Sequence, residues 1–162
     1  MNYRTHQLRT IRSPQIMSNI LGWREWVSLP ELGINKIKAK VDTGARTSAL
    51  HAFDVRLEER DGKKIVRFKI HPKQRDVETV VECEAPLHDE RKVRDSGGHS
   101  EMRYVIQSTI TIGGVAHKAE ITLTNRDSMG FRMLLGRTTM RGHYLVDSGQ
   151  SYLMKKKKLK SD

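Results

Sequence analysis

Cysteine is almost missing from this chain: Cys83 is the only one in 162 residues. A disulfide framework is therefore excluded. No apolar run approaches the ~18–20 residues that a membrane-spanning helix requires. The first nineteen residues, MNYRTHQLRTIRSPQIMSN, lack the ~7–15-residue apolar stretch of a secretory signal. With a lone cysteine and no export signal, the expected compartment is the cytosol. Aromatic residues make up only 6% of the chain, and no RNA-binding sequence motif is present, which weighs against base stacking as the main activity. There is no G-x-x-x-x-G-K phosphate loop, no H-E-x-x-H and no closely spaced cysteine pair. ATP binding by this chain and metal catalysis are therefore not expected, and no cofactor is assigned. His88-Asp89 and His99-x-Glu101 are the only suggestive ligand pairs among seven scattered histidines.

What is present is charge. The net charge is +11, and the two ends carry +7 of it. Residues 1–19 hold Arg4, Arg9 and Arg12 with no acid, and residues 155–162 hold five lysines against Asp162. We expect a basic N-terminal arm over 1–20, a single domain over 21–154 and a basic C-terminal tail over 155–162, with Met17 as a second candidate start. The chain is too short for a two-lobed enzyme of about 300 residues. Sticky basic ends on a weakly basic body suit an acidic partner.

Period-two alternation dominates the body and indicates strands. It runs through residues 36–41, 54–58, 64–70, 104–112 and 119–124, with a valine-rich strand expected over 77–83. Asp61-Gly62 and Gly113-Gly114 read as hairpin turns. One short helix is expected near the C-terminus, over 137–141, stopped by Gly142. The pattern predicts an all-β barrel or sandwich. Residues 86–102 break it and read as a long mobile loop or an extended hairpin tip. Cys83 is expected to be buried and inert, Met129, Met133 and Met140 to be packing residues, and Trp23 and Trp26 to pack in the core or at a dimer face.

The most informative segment is Val41-Asp42-Thr43-Gly44-Ala45, a strand running straight into a tight turn. Glycine at that position admits close approach of backbone or substrate. About ninety residues on, Met133-Leu134-Leu135-Gly136-Arg137 places two apolar residues and a glycine before the short helix. Together with Arg46-Thr47-Ser48-Ala49-Leu50-His51-Ala52 and residues 123–129, these motifs resemble the retropepsin-like bacterial aspartic proteases, a group often labelled ATP-dependent zinc proteases.

The resemblance implies a small closed pepsin-like barrel and peptide hydrolysis by two carboxylates that share a proton. One convincing Asp-Thr-Gly per chain implies a homodimer with Asp42 opposed to its symmetry mate. In this reading Asp42 is the acid and base. Thr43 and Gly44 build the turn, with Thr43 able to lock it by hydrogen bonds. Leu135, Gly136 and Arg137 support the turn from below. Ala45, Arg46, Gly97 and Gly98 contact substrate, the two glycines at the tip of a flap over about 91–103 that is expected to be the most mobile part of the body.

Viral members of the fold carry an acid where this chain has Arg46. Arg137 must then find another partner, and Arg46 either grips a substrate carboxylate or makes a surface ion pair. Asp147-Ser148-Gly149 is a lesser candidate for a second aspartate within one chain, lacking a following Ala and a second downstream Leu-Leu-Gly. Asp95-Ser96-Gly97 follows Arg-Lys-Val-Arg, which is no buried strand, and reads as a flap or loop tip. The resemblance further implies an acidic, glutamate-rich substrate such as a glutamylated ribosomal protein, and a functional link to an ATP-grasp ligase. The alternative is a non-enzymatic basic module that contacts RNA or the ribosome.

Overall fold

The computed structural model describes residues 19–94, 97–125 and 130–154. Residues 1–18, the tail over 155–162, Asp95, Ser96 and residues 126–129, with Met129, lie outside the described residues. Twelve strands follow in order: β1 (Ile20–Leu21), β2 (Arg24–Leu29), β3 (Ile34–Val41), β4 (Ser48–His51), β5 (Phe53–Arg60), β6 (Lys63–Ile70), β7 (Val81–Pro86), β8 (Asp89–Arg94), β9 (Ser100–Ile112), β10 (Val115–Thr124), β11 (Met133–Leu135) and β12 (Leu145–Val146). A 3-10 turn (Pro30–Leu32) separates β2 from β3, and the one α-helix described, α1 (Arg137–Met140), follows β11. The fold is all-β, as expected.

Seven strands form the main sheet, in the order β10-β4-β11-β3-β2-β9-β8. Strand β9 also pairs back onto β10, so the sheet curls round on itself. The circuit is not a clean barrel, however, because β2 and β9 share one registered pair, Ser28 with Thr111. Strands β5, β6 and β7 form a separate three-stranded sheet, and β1 with β12 a small parallel ribbon.

Local chemistry explains the hairpins. Asp61 and Gly62 both hold positive φ, as do Gly113 and Gly114. Two-residue turns of that hand match the twist of the strands they join. The inward residues of β3 (Ile34, Ile37, Ala39, Val41) and β9 (Ile106, Ile110, Ile112) are buried in the core with Phe68, Leu135, Met133 and Met140. Burying one such large side chain fully contributes about 1.5–3 kcal/mol. Cys83 lies in β7, buried, with its thiol pushed up to about 11 by desolvation. The valine-rich strand starts later than expected. Asp76 accepts hydrogen bonds from the Glu78 and Thr79 amides and from the Thr79 hydroxyl, which draws residues 76–79 into a turn. Within residues 86–102, β8 pairs antiparallel with the start of β9, Asp89 to Arg94 registered against Val105 to Ser100.

A C-terminal strap over residues 147–154 crosses the weak β2–β9 seam. It donates from Tyr152 N to Arg24 O at 2.9 Å and accepts from Trp23 N at Gln150 O at 2.8 Å. Its end, Met154, lies against Gly113 in the β9–β10 turn. The clamp is Glu25, a fully buried carboxylate of β2 that accepts the amides of Gly22 (2.6 Å), Leu153 (3.0 Å) and Met154 (3.0 Å). Replacing Glu25 with Ala leaves three amides without their acceptor, at about 1–3 kcal/mol for each one that stays buried. We expect Glu25→Ala to lower the denaturation midpoint and to speed hydrogen exchange at Leu153 and Met154. Unchanged exchange there would refute the clamp.

Candidate active site

The main sheet brings two of the sequence motifs into one place. Strand β11 runs parallel to β3, with Leu135 registered on Val41, and antiparallel to β4. The Asp42 turn leaves the end of β3 directly beside Gly136. Asp42 N donates to Leu135 O at 2.9 Å, Arg137 N to Ala45 O at 2.9 Å and Thr138 N to Arg46 O at 2.9 Å. The turn is thus stitched to β11 and the start of α1 by backbone alone.

Within the turn, Asp42 Oδ1 accepts Gly44 N at 2.9 Å and Ala45 N at 3.2 Å. The Asp42 carboxylate is therefore oriented by its own turn. Thr43 was expected to lock it through hydrogen bonds of its own. Among the described residues Thr43 contributes its carbonyl instead, which accepts from the Arg137 guanidinium at 3.0 Å. Arg137 finds there the partner that the missing acid at position 46 would have supplied. Asp42 is half-buried, and Thr43, Gly44 and Arg46 are exposed. The Arg46 side chain makes no ion pair among the described residues.

Gly136 is the pivot. A Cβ there would stand 2.5 Å from Thr47 C and 2.7 Å from Thr47 O, so no other residue fits without moving the backbone that follows the turn. Behind it, buried Ser48 accepts Gly136 N at 3.0 Å on its hydroxyl, which also hydrogen-bonds Thr139 at 2.6 Å. The Thr122 hydroxyl donates to Ser48 O at 3.3 Å. Sequence reasoning did not assign Ser48, Thr122 or Thr139 to the support. The signal available was a pair of hydroxyl residues, Thr47-Ser48, right after the turn in an otherwise apolar strand.

Gly97 and Gly98 sit on a different element, the turn between β8 and β9, both exposed, with Gly98 at φ +83°. Asp147 forms a turn of the same kind: Gly149 N donates to its Oδ1 at 3.1 Å, Asp147 N donates to Leu21 O at 2.8 Å, and a Cβ on Gly22 would stand 2.3 Å from Gln150 O. This turn, however, leaves the exposed two-residue strand β12 and not the main sheet.

An aspartate turn leaving one strand and braced by a glycine from a parallel neighbour is the arrangement of retropepsin-like proteins. The chain belongs to the RimB-like family of retropepsin-like aspartic endopeptidases, whose sequence profile matches residues 20–157. Proteins from Shewanella pealeana and Desulfotalea psychrophila, each named a probable alpha-L-glutamate ligase, are 48% and 46% identical over 138 and 135 residues. Those segments cover 85% and 83% of this chain and 30% and 29% of the relatives, so the chain spans less than a third of their length. A crystal structure of a Legionella pneumophila protein of unknown function superposes with a TM-score of 0.70 at 25% identity, covering 84% of this chain and 98% of that one.

The packing around Gly136 sets a test. Gly136→Ala overpacks the site at a cost of about 1–3 kcal/mol, and Ser48→Ala removes the acceptor of a buried amide for a similar loss. Both are expected to lower the melting temperature, with Ser48→Gly no better than Ser48→Ala. A wild-type melting temperature in Gly136→Ala would show that the close approach is not a constraint.

Proposed function

We propose that this protein is an aspartic peptidase that works as a homodimer and cuts peptide bonds in acidic, glutamate-rich segments. The observation that carries the proposal is the Asp42 turn. One carboxylate oxygen is fixed by two amides, and the other makes no hydrogen bond among the described residues. Peptide hydrolysis without a covalent intermediate needs a base for the water and an acid for the leaving nitrogen. Asp42 leaves the main sheet, whereas Asp147 leaves a separate two-stranded ribbon, so Asp42 is the aspartate assigned here and a two-fold axis supplies its mate. Two carboxylates a few ångströms apart cannot both ionise, so they share one proton. The ionised one takes a proton from water as it attacks the carbonyl carbon. The protonated one hydrogen-bonds the carbonyl oxygen, and the leaving nitrogen is protonated as the tetrahedral intermediate collapses.

Thr43 and Gly44 hold the turn open to substrate, Ala45 and Arg46 line its exit, and Leu135, Gly136 and Arg137 fix its base. The β8–β9 hairpin with Gly97 and Gly98 serves as the flap. Arg46, exposed beside the turn, is suited to a substrate carboxylate. The names of the relatives support a link to glutamate ligation: a domain that removes glutamates is a natural companion of one that adds them. A glutamylated ribosomal protein, as the family resemblance implies, fits as substrate, and the cytosol as compartment.

Asp42→Asn keeps an oxygen to accept the Gly44 and Ala45 amides, so the fold is expected to survive. Loss of the shared proton is expected to cut turnover by about 10²–10⁴-fold, while a zinc chelator leaves the wild type unaffected. Full activity in Asp42→Asn would end the aspartic mechanism. Arg46→Ala is expected to raise KM for glutamate-rich peptides about tenfold, equivalent to ~1.4 kcal/mol, and to leave neutral peptides alone. An equal effect on both would make Arg46 a structural residue. The same relatives favour a second reading, in which the domain is a non-catalytic part of a ligase assembly. Glutamate ligation that depends on this chain but not on Asp42 would support it.

A further inference from the structure

The outward residues of β2 and β3 form a strip of cations on an aromatic bed. Trp26 is registered on Lys38 and Arg24 on Lys40, and Lys36 extends the β3 row. Alternate strand residues stand on one face about 6.6–6.8 Å apart, so the row is evenly spaced, and it ends two residues before Asp42. Lys36 Nζ lies 4.1 Å and Lys38 Nζ 5.1 Å from the Trp26 ring centre. The Arg24 guanidinium lies 4.5 Å from the Trp23 ring and 4.9 Å from Tyr152. Tyr152 stacks on Trp26 at 5.8 Å and 17°. It reaches that position with φ +55°, a conformation that a bulky side chain adopts at a cost.

No ion pair engages Arg24, Lys36 or Lys38 among the described residues. The one acid of β2, Glu25, points inward and is used by backbone amides. Like charges on neighbouring strand positions repel one another, and no ion pair among the described residues offsets the charges of Lys36 and Lys38. The ring contacts hold the cations in place before any ligand arrives, which lowers the entropy cost of binding.

We propose that this strip is a rail that binds an extended acidic peptide outside the catalytic turn and directs it towards Asp42. Only the direction of travel rests on the reading of Asp42 as catalytic. Carboxylates on alternate residues of an extended peptide repeat at the strand spacing, so Lys36 and Lys38 take successive acidic side chains while Arg24 takes a further one. A single-stranded RNA is also a polyanion, but its affinity draws on bases stacking against aromatic faces. Here the ring faces engage one another and the cations, which favours carboxylates.

The test is binding of fluorescently labelled oligo-glutamate, read by anisotropy, to the full chain carrying Asp42→Asn so that nothing is cut. Adding Lys36→Gln and Lys38→Gln is expected to weaken binding by about tenfold or more, and Arg24→Gln to act in the same direction. A control, Lys63→Gln with Lys64→Gln, removes two exposed lysines from β6 and is expected to leave binding unchanged. Unchanged affinity in the Lys36/Lys38 variant overturns the rail, as does an equal loss in the control, which would signal bulk charge. An RNA oligomer of equal charge that binds more tightly and displaces the peptide overturns the choice of partner. If the rail variants lose the peptide while the wild type never cleaves one, the rail stands and the peptidase reading falls.

Discussion

Gly136 and the Thr47–Ser48 backbone approach so closely that a single added carbon would stand 2.5 Å from Thr47 C. Much of the candidate site depends on that contact. It brings the end of β11 against the chain leaving the Asp42 turn, which lets Leu135, Arg137 and Thr138 exchange backbone hydrogen bonds with Asp42, Ala45 and Arg46. It also puts Gly136 N on the buried Ser48 hydroxyl, so that the turn is braced by a network reaching Thr139 and Thr122. A carboxylate on a loop is usually mobile. Here the loop is tied at both ends to strands of the core, which is what positioning for acid–base chemistry requires.

The sequence was most legible where conformation demands a particular residue. Asp61-Gly62 and Gly113-Gly114 marked hairpins because their turns need positive φ twice in succession. Strands with one wet face, such as β3 and β6, showed their alternation. Strand β2 did not, because Glu25 occupies an inward position where the pattern calls for an apolar residue. Strand β4 was hidden for the opposite reason. It lies between β10 and β11, and Ser48, Ala49 and Leu50 are all buried, so it has no alternation. Strand β8 was concealed by its place at the sheet edge, where charged side chains are normal.

The site was legible through the two motifs that flank it, and the structure adds how they meet. Asp42 locks its own turn, and Arg137 turns to a carbonyl in place of an acid. Of the hydroxyl network only the Thr47-Ser48 pair beside the turn was visible, since nothing in the spacing ties it to Thr122 or Thr139. The cationic strip was equally obscure: its lysines alternate as in any exposed strand, and only folding sets Tyr152, from the far end of the chain, against Trp26. Glu25 connects these features, because the strap it clamps both crosses the β2–β9 seam and delivers Tyr152 to the strip.

The proposed chemistry needs two aspartates, and in the proposed dimer the mate of Asp42 is the Asp42 of a second copy. The most direct measurement is the separation of the two Asp42 carboxylates in a crystal structure of the protein with a non-cleavable glutamate-rich peptide bound. The account expects a two-fold dimer with the carboxylates within hydrogen-bonding distance of each other and the peptide between the protomers. A monomer that binds the peptide, or a dimer that holds the two aspartates far apart, would contradict it.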